Sequence, residues 1–175
     1  MLDSHPELAI PGESHFIPEL WGSFGRKRWS RRRARELHDT LRGHPRFEKW
    51  QLADDDVVAA FEGARGFPDA IRGLYRGCAR ARGKPRYGDK TPDYVDHISL
   101  LAELFSEARF VHLIRDGRDV ALSLVDVPFG PDTLPSAATY WADKVRAGGR
   151  AGGGVGTQKY LEVRYEELVC DPGHR

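Results

Sequence analysis

Arg115 and Ser123 are the residues whose types and spacing most directly describe a chemistry. Both lie in the stretch Ala108-Arg-Phe-Val-His-Leu-Ile-Arg-Asp-Gly-Arg-Asp-Val-Ala-Leu-Ser123. A guanidinium offers a fork of N–H donors that fits phosphate oxygens, and a hydroxyl adds one more. Eight positions separate the two, a little over two turns at about 3.6 residues per turn. If a helix begins between them, both groups converge beside its start, where an anion is favoured. The run Arg115-Asp-Gly-Arg-Asp119 reads equally as a solvated strand-to-helix connection, so spacing alone leaves both readings open. Lys90 stands in Gly88-Asp-Lys-Thr-Pro92, held between two turn-formers. It is either a fixed cation or a surface Lys beside a capping Thr91 or Asp89. Glu13, after Pro11-Gly12, reads as an exposed turn carboxylate; it serves as a base only within hydrogen-bond reach of an acceptor proton.

The elements that must position these groups follow from periodicity. Phe110, Val111, Leu113 and Ile114 form a short branched apolar run, predicting a buried strand. Asp116 and Gly117 break it, and from Asp119 the residues Val120, Ala121 and Leu124 take helical spacing. Arg115 then lies at the strand's C-terminal edge, where open α/β sheets bind ligands. Upstream, Met1 to His5 reads as the tail of a helix stopped near Pro6, and Leu8 to Ile10 as a very short buried strand that puts Glu13 in the turn after it. Arg86-Tyr87 leads into the Lys90 turn, before a helix containing Ile98, Leu101, Leu104 and Phe105. Three helices are expected between, marked by Trp29, Leu37 and Leu41, by Val57, Val58 and Phe61, and by Ile71, Leu74, Tyr75 and Cys78. Arg26 to Arg35 holds seven basic residues in ten positions and reads as a solvated helix face. Tyr140, Trp141, Lys144 and Val145 mark a further amphipathic helix. Gly148 to Gly156, with six Gly in nine positions, lacks GxGxxG spacing and reads as a flexible loop. Tyr160 to Leu168 is a strand passing into a short helix.

Composition narrows the classes. The 175 residues are 40% hydrophobic and 30% charged, one domain's worth of ordinary globular chain. A net charge of +1 gives no general attraction to nucleic acid or membrane, so any anion site must be local. Cys78 and Cys170 are isolated, which argues against structural zinc and a disulfide framework. No apolar run approaches the ~20 residues of a membrane span, and no leader pattern opens the chain. A cytoplasmic, reducing setting is the default expectation.

Four stretches, in order, resemble the sulfotransferases that use 3′-phosphoadenosine 5′-phosphosulfate (PAPS). Ile114-Arg-Asp-Gly-Arg-Asp-Val-Ala-Leu-Ser123 looks like their 3′-phosphate-binding segment, which implies that role for Arg115 and Ser123. Leu2-Asp-Ser-His-Pro6 and then Gly12-Glu13 are similar to the segment after the phosphosulfate loop in tyrosylprotein and related bacterial enzymes, where this Glu is the candidate general base. Arg86-Tyr-Gly-Asp-Lys-Thr-Pro92 resembles their "GDKTP" or "NKDP" element, implying that Lys90 stabilises charge on the transferring sulfuryl group. Tyr160-Leu-Glu-Val-Arg-Tyr-Glu-Glu-Leu168 is similar to "RYEDL…P", whose Tyr can lie near the adenine, which implies that role for Tyr165. The resemblance runs from Leu2 to Pro172 and is weak between Phe24 and Pro85.

The resemblance implies an α/β sandwich related to P-loop kinases, with a central parallel β-sheet flanked by helices. The chain reads as one such domain over 1–175, with 24–85 a helical acceptor-side insertion. No phosphosulfate loop precedes Leu2, so the expectation is a domain truncated at both ends, with Met1 an internal Met of the full fold and little activity from this chain alone. The implied reaction is sulfuryl transfer from PAPS, with 3′-phosphoadenosine 5′-phosphate (PAP) as product, to a hydroxyl or amine of a small-molecule, glycan or peptide acceptor, without metal. Two rivals stand beside it: an inactive binding remnant, and a nucleotide kinase using ATP and magnesium, whose Walker sequence is missing. The acceptor and the oligomeric state are not legible in these residues.

Overall fold

The computed structural model describes residues 2–128 and 130–171, so Met1 and Pro172, which the sequence reading invoked, lie outside the described residues. The chain divides into two compact units, 1–92 and 93–175. The alternation of strand and helix and the parallel pairing expected from the sequence are both present. The strands form two parallel pairs, one in each unit.

In the first unit a 3-10 turn at Leu2–Ser4 precedes strand β1 (Leu8–Ala9), which pairs with β2 (Arg86–Tyr87) in the register Leu8↔Arg86 and Ala9↔Tyr87. The helices between are α1 (Phe16–Leu20, running into a π-helical turn at Trp21–Gly25), α2 (Arg31–Arg42), α3 (Pro45–Glu48), α4 (Asp54–Glu62) and α5 (Phe67–Ala81). Helix α5 is the centre of this unit's core. Phe67, Ala70, Ile71, Leu74, Tyr75 and Cys78 recur at three- and four-residue steps and are all buried, so hydrophobic burial fixes the helix along one face. Burial also pushes the Cys78 thiol up to about 11. Gly73 lets α4 close on α5, since a Cβ there would sit 2.7 Å from that of Ala60. Trp29 departs from expectation: it lies outside the helix, because Ser30 adopts extended geometry and its hydroxyl caps the N–H of Arg33. Its ring meets Phe61 edge-on instead. The short α1 and α3, unforeseen, are tied by Phe16, whose ring meets those of His44, Phe47 and Trp50 at 5.4–6.0 Å.

In the second unit a 3-10 turn (Pro92–His97) leads into α6 (Ile98–Leu104), β3 (Phe110–Ile114), α7 (Gly117–Val125), α8 (Leu134–Val155), β4 (Tyr160–Arg164) and α9 (Tyr165–Cys170). Strands β3 and β4 pair in parallel, Val111 opposite Leu161 and Leu113 opposite Val163. The expectation of a wholly buried strand is corrected here: Ile114 is buried, yet Val111 and Leu113 are 57% and 50% exposed. Side chains alternate across a strand, and helix α8 packs on the opposite face, where its Gly148 and Gly152 meet the His112 and Tyr160 rings.

The Gly-rich stretch is likewise not a loop: helix α8 continues through it to Val155. A capping box of Thr133 and Ser136 starts this helix, and close packing on aromatic rings explains the glycines. A Cβ on Gly148 would lie 2.4 Å from the His112 ring, and one on Gly152 2.3 Å from that of Tyr160. Those rings sit where the Tyr160 hydroxyl meets His112 Nδ1 at 2.6 Å and donates to Glu162 at 3.0 Å. Burial lowers the pKa of His112 and raises that of Tyr160. A sign reversal follows. Gly153→Ala and Gly154→Ala, with nothing near the new Cβ, stabilise the protein by roughly 0.5–1 kcal/mol through helix propensity. Gly148→Ala and Gly152→Ala destabilise it despite the same propensity gain. Urea midpoints of the four variants test this, and midpoints that move together would refute the close-packing account.

Candidate active site

Two parallel strands deliver their following turns to the same end of the sheet. Arg86 N–H donates to the carbonyl of Glu7 and Gly88 N–H to that of Ala9, so the pairing carries past β2 to the Lys90 turn. Gly88 lies close to β1 there, where a Cβ would stand 2.9 Å from the Ile10 Cδ1. Ser14 and Thr91, both buried, latch the two turns: Ser14 N–H donates to Thr91 Oγ1 at 3.1 Å. Thr91 therefore joins the two turns.

The latch brings Glu13 and Lys90 together. Lys90 Nζ donates to Glu13 Oε1, an ion pair across 77 positions of sequence. Glu13 Oε2 faces His15 Nε2 at 3.1 Å and Arg46 Nη1 at 3.5 Å. The Lys90 hydrogen bond, then that of His15, holds the Glu13 carboxyl below its ordinary value. His15 takes a left-handed conformation at φ 56° just before α1, a cost that non-glycine residues bear when their surroundings demand it. Behind the pair, the Tyr75 hydroxyl donates to Asp89 and its ring stacks on Tyr87, fixing the strand end that carries Lys90. His15, Arg46 and Tyr75 were missed by sequence reasoning. His15, two residues from Glu13, was within reach of notice; Arg46 and Tyr75 come from distant helices and left no local signal.

In the second unit the strand–turn–helix forms as expected. Asp116 caps α7, its Oδ1 accepting from Arg118 N–H at 2.8 Å, and the Arg118 side chain beside it draws its carboxyl down to about 2. Its own N–H donates to Glu166 at 2.8 Å. Gly117 lets the turn lie on Trp141, whose ring would be 2.7 Å from a Cβ there, and Trp141 Nε1 donates to the Arg115 carbonyl. The turn is thus gripped from α8 and α9. Arg115 is half exposed, donates from Nη2 to Asp119 at 3.1 Å, and lies 5.4 Å over the Tyr165 ring. Ser123 is exposed one turn beyond Asp119, on the same helix face. Arg115 and Tyr165 are thus brought together, and Ser123 projects along that side of α7. Chemically, the first unit holds a carboxylate among cations, and the second a partly open guanidinium with a nearby hydroxyl and an aromatic ring, a set that fits a phosphate and a flat base.

Comparison with known proteins bears on the family and the fold. The profile of a sulfotransferase family matches residues 1–175. No curated protein matches the chain. Among solved structures the fold is similar to the sulfotransferase domain from the curacin biosynthetic pathway, with a TM-score of 0.58 and 16% identity over 98% of this chain. The match spans 62% of that structure's length, less than two thirds of it.

Proposed function

The chain belongs to the sulfotransferase family, and from that premise we propose that it takes part in sulfuryl transfer from PAPS to a hydroxyl or amine. The observation that carries this reading is the Glu13–Lys90 pair, assembled from two turns by parallel strand pairing. PAPS, when bound, supplies an activated sulfuryl group on a phosphate leaving group. Arg115 and Ser123 bind the 3′-phosphate, and Tyr165 lies against the adenine. Asp119 gives up part of the Arg115 guanidinium to do so, an exchange of one anion for a more highly charged one.

Lys90, 63% exposed, moves from Glu13 to the developing charge on the sulfuryl and bridging oxygens. That move frees Glu13 from the cation that lowers its proton affinity, and Glu13 Oε1 then takes the acceptor's proton. Binding the donor and readying the base are in this way one event. The helical segment 24–85 shapes the acceptor side, and Arg46 on α3 already reaches Glu13 from it.

The test is transfer of radiolabelled sulfate from PAPS to acceptors by the full-length protein, with ATP and magnesium in parallel. Labelled sulfate ester formed from PAPS and no phosphoryl transfer from ATP supports the reading; transfer from ATP alone overturns it.

A further inference from the structure

The cations around Glu13 exceed what one carboxylate requires. Lys90 is in direct contact with Oε1 and suffices to neutralise it. Arg46 approaches Oε2 only to 3.5 Å, is 43% exposed, and its guanidinium has no second ion pair among the described residues. Its position is nevertheless built. Its backbone N–H is taken by the His44 ring at 3.2 Å, and buried Phe47 and Trp50 seat α3 on Phe16. The Glu13 carboxylate is already held by Lys90 and His15, so Arg46 stands beside it as a cation available to a further anion.

We propose that Arg46 is a specificity residue that binds an anionic group, such as a carboxylate, carried by the acceptor close to the hydroxyl or amine that is modified. The inference rests on Glu13 acting as the base. Charge distribution supports it independently: residues 1–92 carry 18 Lys and Arg against 13 Asp and Glu, while residues 93–175 carry 9 against 13. The half that holds Glu13 therefore attracts anions even though the whole chain is near neutral. Arg46 offers planar, paired N–H donors suited to a carboxylate. Its engagement by the acceptor carries the reacting group to the side of Glu13, the base that it needs.

The experiment uses the full-length protein with PAPS and two matched acceptor pairs: 3-(4-hydroxyphenyl)propionate and its amide, and 4-hydroxybutyrate and its amide. The wild type is expected to prefer the acids by roughly tenfold or more in kcat/KM, and Arg46→Gln to bring the acid-to-amide ratio to about one. Arg46→Lys retains part of the preference. A ratio untouched by Arg46→Gln, or no preference in the wild type, overturns the inference and leaves Arg46 a simple counter-ion. Calorimetric binding of the acids without donor keeps the two readings separate. Binding weakened about tenfold by Arg46→Gln and strengthened by Glu13→Gln upholds the anion site even if no acceptor is sulfated, in which case the transfer reading fails alone. Acids that do not bind while other acceptors are sulfated sink the anion site and leave transfer standing.

Discussion

Glu13→Gln in the full-length protein is expected to lower kcat by about 10²–10⁴-fold, the range over which a positioned base acts. Gln keeps the shape and can still receive the Lys90 ammonium at its carbonyl oxygen, so the fold and the latch between Ser14 and Thr91 should persist. What it loses is the capacity to hold a proton. The pH profile supplies a check that a structural defect would not. Because Lys90 holds the Glu13 pKa below its ordinary 4.5, the carboxylate of the free enzyme is ionised through the neutral range. The acid limb of kcat/KM therefore lies below pH 4.5, with activity falling as pH drops through the Glu13 pKa. Lys90→Met removes the largest cause of the shift, and the limb moves to higher pH while kcat also falls, because the sulfuryl charge has lost its partner. A Glu13→Gln enzyme within threefold of wild type would dismiss Glu13 as the base and turn attention to His15, its ring neighbour. An acid limb that stays in place in Lys90→Met would mean that the observed pair does not persist in the working enzyme.

The two halves of the site were unequally legible in the sequence. The Arg115 segment could be read because the signals for its elements are local: a branched strand, an Asp cap, a Gly turn and a helical stripe within sixteen consecutive residues. The grip of Trp141 and Glu166 on its turn could not be read. The Glu13–Lys90 pair could be assigned only through family resemblance, since its cause is parallel pairing between strands of two residues each. Such short strands have no periodicity to detect. The errors have the same origin. Val111 and Leu113 have the composition of a buried strand, but burial depends on what covers each face, which local sequence does not encode. Gly148 to Gly156 has a poor helix propensity of roughly 1 kcal/mol per glycine, and close approach to His112 and Tyr160 outweighs it. Trp29 matches its helix stripe by spacing, yet Ser30 is the better cap, and a capping hydroxyl decides where a helix starts.

Arg115→Ala is expected to weaken binding of PAP by about 10–100-fold, the equivalent of one or two charge-assisted hydrogen bonds. ADP, which lacks the 3′-phosphate, should bind wild type and variant alike. The comparison isolates the 3′-phosphate, because any general loss of fold would weaken both nucleotides. Asp119 gives the argument its sign test. Its carboxylate occupies Arg115 Nη2 at 3.1 Å on the face of α7 that leads to Ser123, so it competes with an incoming phosphate for the same donor and repels it. Asp119→Asn should therefore tighten PAP by a few fold and leave ADP unchanged, even though it deletes an observed ion pair. That pair is exposed on both sides and contributes at most about 1 kcal/mol to stability, so the fold tolerates its removal. Ser123→Ala should cost less than Arg115→Ala, since a neutral hydroxyl donates one bond of ordinary strength. Calorimetry on the four proteins with both nucleotides orders these effects. Equal losses for PAP and ADP in Arg115→Ala, or weaker PAP binding in Asp119→Asn, would place the 3′-phosphate elsewhere and return the Arg115 turn to a solvated connection between strand and helix.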